Sequence, residues 1–84
     1  MALADLLKAV RARPFTPFRL LLTNGESLEV HHPEMCMAGA RSAVIGTPSS
    51  SQPLPVIDSY SIVDLLHIVR LEPIQQAAPS NGSV

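Results

Sequence analysis

His31, His32, Glu34 and Cys36, together with the distant His67, are the side chains in this sequence whose types suit a metal ion. Zinc accepts all of those ligand types. Their spacing does not assemble a site: on a strand His31 and His32 point to opposite faces, and neither a His-x3-His nor a Cys-x2-Cys pair occurs. The pattern reads instead as the end of a strand, with His31 solvated, His32 extended before Pro33, and Glu34 opening a turn. Cys36, between Met35 and Met37, reads as a small buried hydrophobe. No metal and no cofactor is expected.

Nucleophilic catalysis needs a nucleophile, a base and an orienting group held together. The serines Ser49, Ser50 and Ser51 sit in a polar loop, and neither a Gly-x-Ser-x-Gly elbow nor a phosphate-binding glycine loop is present. Asp58 and Asp64 are single carboxylates on or beside a strand, so no acid/base pair is marked and the chain is not expected to be an enzyme. Arg11, Arg13, Arg19, Arg41 and Arg70 would form a basic rim only if the fold gathered them. Six basic against seven acidic residues give no general attraction to phosphate or anionic lipid. One Tyr, two Phe and no Trp leave little surface for bases to stack on. The candidate contacts for a partner or for RNA are His31, His32, Glu34, Arg41, His67 and Arg70.

The elements that must position these groups follow from periodicity. Leu3, Leu6, Leu7 and Val10 recur at helical spacing, with Asp5 early and Lys8, Arg11 and Arg13 late, as the helix dipole favours. The helix is about ten residues long and ends before Pro14. Too short to hold itself, it must lie on the sheet that follows. Pro14 and Pro17 make a stiff connector, with Phe15 and Phe18 as core anchors.

Asn24-Gly25 marks a hairpin. A two-residue loop would place Leu20 opposite Glu29 and mix the faces. A three-residue loop Thr23-Asn24-Gly25, with Gly25 at positive φ as a bulge, pairs Leu20 with Leu28 and Phe18 with Val30. One residue of slip turns every side chain over, so the apolar pattern selects the bulge. RSAVIGT over 41–47 predicts a third strand, 55–63 a fourth with Pro55 at its edge, and 67–71 a fifth, entered through a tight turn at Asp64-Leu65-Leu66. The segment 74–84, IQQAAPSNGSV without an apolar pattern, is expected to be a disordered tail to a single domain over 1–73.

A chain of 84 residues buries a modest core and gains from a second subunit. A lone cysteine excludes an internal disulfide framework and fits a reducing compartment. No apolar run reaches membrane-spanning length, and the first residues do not read as a secretory signal, so a cytoplasmic protein without a membrane contact is expected.

One helix, a hairpin around Asn-Gly and a last strand entered through a tight turn resemble the Sm-like small barrel, the fold of bacterial RNA-chaperone rings, from about Leu3 to Leu71. The resemblance implies a five-stranded, strongly bent antiparallel sheet and ring-like self-association through strand edges. The strings RPFTPFRLLLTNGESLEVHHPE and LLHIVRLEP are also similar to a family of small bacterial proteins with an Arg-Pro-Phe-x-Pro-Phe-Arg start and a His-Pro-Glu segment, to which no activity attaches. RNA-binding Sm-like rings offer Lys-His or Arg-Gly-Asn-like residues in the last turn, where this chain has Val63-Asp64-Leu65-Leu66-His67. Asp64 would repel phosphate. The reading is therefore a mainly β domain with one N-terminal helix, acting as a non-enzymatic, self-associating interaction module. RNA binding is the alternative and a metal-dependent enzyme a distant third.

Overall fold

The computed structural model describes residues 1–74. Helix α1 (Leu3–Arg11) is followed by six strands: β1 (Phe18–Leu22), β2 (Ser27–Val30), β3 (Cys36–Ala38), β4 (Ser42–Pro48), β5 (Ile57–Asp64) and β6 (Ile68–Pro73). Single 3-10 turns occupy Pro33–Met35 and Leu65–His67. The chain is mainly β with one N-terminal helix, as expected. The strands form two three-stranded antiparallel sheets, ordered β2-β1-β6 and β3-β4-β5. Neither sheet is closed or strongly bent, which corrects the expected five-stranded barrel.

The sixth strand arises at His32-Pro33. Pro33 has no N–H and a fixed φ, so the chain leaves the ladder after Val30. It makes one 3-10 turn, closed by the Met35 N–H on the His32 carbonyl at 3.0 Å, and returns to extended backbone as β3. The turn begun by Glu34 was legible; the short strand after it was not.

The hairpin has the register selected by its apolar pattern: Phe18 faces Val30, Arg19 faces Glu29 and Leu20 faces Leu28. Gly25 has φ +89°, and its N–H donates to the Leu22 carbonyl at 3.0 Å. The Leu22 N–H donates to the Glu26 carbonyl at 2.9 Å, and Asn24 Oδ1 accepts the Glu26 N–H at 2.9 Å. These bonds define the three-residue bulged turn.

Leu6, Phe18, Leu20, Val30, Cys36, Ala43, Ile45, Leu65 and Ile68 make one core between the helix and the inner faces of the two sheets. Phe15 leans on it, with its ring 5.9 Å from that of Phe18 at a tilted 60°, an arrangement aromatic quadrupoles favour. The last strand extends beyond the expected Leu71 to Pro73, and the Ile74 N–H donates to the Pro17 carbonyl at 2.9 Å. The rest of the expected tail lies outside the described residues. No helix among the described residues is long and apolar enough to cross a membrane.

Candidate interaction surface

The polar candidates separate into three places. The first is a charged ladder on the solvent face of β2-β1-β6. Cross-strand register sets Arg19 between Glu29 and Glu72. Arg19 donates to Glu29 Oε2 from Nε at 3.2 Å and from Nη2 at 3.0 Å, and its Nη1 lies 3.7 Å from Glu72 Oε1. Arg70 Nη2 is 2.7 Å from Glu72 Oε2, and His31 Nε2 is 2.9 Å from Glu29 Oε1. The hydrogen bond from His31, then those from Arg19, hold the Glu29 carboxyl below its ordinary value. Two arginines that a basic rim would need are thus matched by glutamates.

The second place is the 3-10 turn after β2. His32 is extended there (φ −140°, ψ 136°) and exposed, and Glu34 is exposed in the turn itself. Cys36 is buried in the core rather than turned toward them, and burial pushes its thiol up to about 11. Among the described residues no three His, Cys, Asp or Glu side chains are grouped to hold a metal ion.

The third place is the end of the molecule where the hairpin tip meets the turn before β6. His67 Nδ1 lies 3.3 Å from Thr23 Oγ1, on a hollow of about 440 Å³ that Asn24, Glu26 and Asp64 also line. Two carboxylates in that lining disfavour an anionic ligand. Arg41 borders a different hollow, with Leu3, Asp64 and Leu66, so the fold does not join it to the ladder that holds Arg70.

A further exposed apolar feature lies on β5, the strand expected over 55–63. Every residue of β5 except Val63 is exposed, and β5 ends its sheet with no strand beyond it among the described residues. Leu65 donates its N–H to the Arg41 carbonyl at 2.8 Å, which makes Arg41/Leu65, and by alternation Ala43/Val63 and Ile45/Ser61, the hydrogen-bonded pairs of the ladder. The N–H and C=O groups of Tyr60 and Ile62 therefore point to the free edge. On β6 the same argument, from the Ile74 bond to Pro17, turns the backbone of Arg70 and Glu72 to β1 and that of Leu71 to the free edge of β6. The available signal was the alternation of Ser59 and Ser61 with Tyr60 and Ile62, which marks a two-faced strand without saying which face is outside.

No protein-family model matches the chain, and no curated protein or solved structure is significantly similar to it.

Proposed function

We propose that the chain is a non-enzymatic interaction module that assembles with copies of itself, the free edge of β5 in one copy pairing with the free edge of β6 in the next. The observation that carries this reading is the edge of β5. It is the longest strand, and its central residues Ser59 to Val63 include no charge and no proline, the devices by which exposed edges are ordinarily blunted. Such an edge presents unpaired donors and acceptors that a second strand satisfies. Pairing β5 with a different strand of the next copy is heterologous, so it closes into a ring when the rotation per copy allows.

The Sm-like reading of the fold belongs to the same proposal. It is supported by element order: a helix, a hairpin, a strand that Pro33 interrupts into β2 and β3, then β4, β5 and β6, the last two joined by a 3-10 turn. Binding of nucleic acid is the weaker alternative, because Arg19 and Arg70 already face Glu29 and Glu72. Phosphate would have to displace those carboxylates.

The test is mass in solution by sedimentation, on the full chain and on a semisynthetic chain N-methylated at Tyr60. N-methylation removes one free-edge donor and leaves every side chain in place. The expected result is an oligomer whose mass falls on N-methylation; a strictly monomeric parent refutes edge pairing. With Tyr60 as the only Tyr and no Trp, bound nucleic acid would dominate the ultraviolet spectrum. A salt-sensitive signal at 260 nm, abolished by replacing Arg41 and Arg70, would establish the alternative instead.

A further inference from the structure

The free edges of β5 and β6 carry the same polarity pattern. On β5 the residues whose backbone groups point away from β4 are Tyr60 and Ile62, and their side chains are apolar and exposed, at 62% and 65%. Ser59 and Ser61, which alternate with them, give their backbone to β4. On β6 Leu71 turns its backbone to the free edge and packs its side chain against the core. Arg70 and Glu72 beside it give their backbone to β1 and their side chains to the charged ladder. Within its own sheet β5 is inverted, since Ser61 stands opposite the core residue Ile45 while Tyr60 and Ile62 lie on the outer side. Beside the free edge of β6 the inversion becomes a match.

We infer that β5 of one copy pairs antiparallel with β6 of the next, with Tyr60 opposite Leu71, so that Tyr60 and Ile62 extend the core side of the next copy's β2-β1-β6 sheet. The inference rests on edge pairing and adds its direction and register. Direction follows from which residues face the edge. In an antiparallel pair, two residues that exchange both backbone bonds lie directly opposite and share a face. Tyr60 then meets Leu71, while Ser59 and Ser61 meet Glu72 and Arg70 on the side of the charged ladder. In a parallel pair the slanted bonds set an edge-facing residue opposite one whose own backbone faces away, which would put Tyr60 opposite Arg70 or Glu72.

Three residues then narrow the register. Sliding β5 by two residues sets Ile62 opposite Leu71 and Tyr60 opposite Pro73, which has no N–H for the Tyr60 carbonyl. It also sets Val63, the one residue of β5 that is not exposed, opposite Arg70. Sliding it the other way sets the charged Asp58 opposite Leu71. With Tyr60 opposite Leu71 these mismatches are absent, and Ile62 comes beside Val69, a residue 65% exposed that the β1-β6 register skips. Asp64, the charge on the Tyr60 side of β5, lies beyond this pairing, where the strand runs into the 3-10 turn.

Disulfide trapping reads the register directly, and oxidation captures even a short-lived pairing. Ser61 and Arg70 of the next copy would form a pair without mutual backbone bonds, whose Cα atoms lie about 4.5 Å apart, within the ~4.4–6.8 Å that a disulfide spans. A slip of two residues moves them about 7 Å along the strand and out of reach. Ser61→Cys and Arg70→Cys are made in separate chains, mixed and oxidised; Cys36 is 5% exposed in the core, and the parent chain serves as the control. The expected result is a disulfide between the two different chains, found again when Ser59→Cys is mixed with Glu72→Cys and absent when any of the four chains is oxidised alone. A bond from Arg70→Cys to Val63→Cys in place of Ser61→Cys overturns the register, and one to Tyr60→Cys overturns the direction, each leaving edge pairing standing. No bond in either mixture overturns the register when the parent sediments as an oligomer; with a monomeric parent, edge pairing itself fails.

Discussion

Replacing Gly25 tests the turn that fixes the register of the first hairpin. Gly25 has φ +89°, and a Cβ built on it meets no heavy atom within 4 Å. Any cost of Gly25→Ala therefore comes from the residue's own backbone, which an L side chain disfavours there by about 1–2 kcal/mol. Alanine also has fewer unfolded conformations than glycine, which returns about 0.4–1 kcal/mol. The net loss is about 1 kcal/mol, or ~4–8 °C in Tm for a domain of this size. Chemical synthesis allows the sharper comparison with D-alanine at the same position, for which positive φ is the favoured region. The D-alanine variant should match or exceed the parent while the L-alanine variant melts lower, all at one protomer concentration because assembly shifts Tm. Equal melting of the L and D variants would refute the positive-φ turn, and with it the argument that the apolar pattern chose a bulged loop.

Two further outcomes follow from the titrating groups. Burial raises the Cys36 thiol from 9.0 to about 11, so at pH 8 the folded chain holds ~100-fold less thiolate than the unfolded one and a thiol reagent should label it correspondingly slowly; labelling at the denatured rate would mean that Cys36 is not in the core. The Glu29 carboxyl is lowered from 4.5 by His31 and Arg19, so its contribution to stability is present above pH 4.5 and is lost as pH falls through the lower, folded value. Glu29→Gln should therefore melt below the parent at neutral pH and low salt, with the gap closing in acid and in high salt; a gap that persists in acid would place the effect in packing rather than in charge.

Local chemistry determined much of this fold. Leucines at helical spacing placed α1, and the alternation of Phe18, Leu20 and Leu22 against Leu28 and Val30 fixed the hairpin register, because one face had to be buried and a slip of one residue would have exposed it. The tight turn at Asp64 was also legible: its Oδ1 accepts the Leu66 N–H at 2.9 Å, a bond set by residues two apart. What tertiary structure alone decided depends on partners far along the chain. Pro33 shows that a ladder must stop, but whether Cys36–Ala38 resumes one depends on β4 lying alongside. Arg19 was a free cation in the sequence, and only the β1-β6 register set Glu72 beside it, where Arg70 reaches the same carboxylate from two residues away on β6. The alternation of β5 is equally consistent with either side facing the core; the β4-β5 register, with Ala43 and Ile45 in the core, turned Tyr60 and Ile62 to the opposite face.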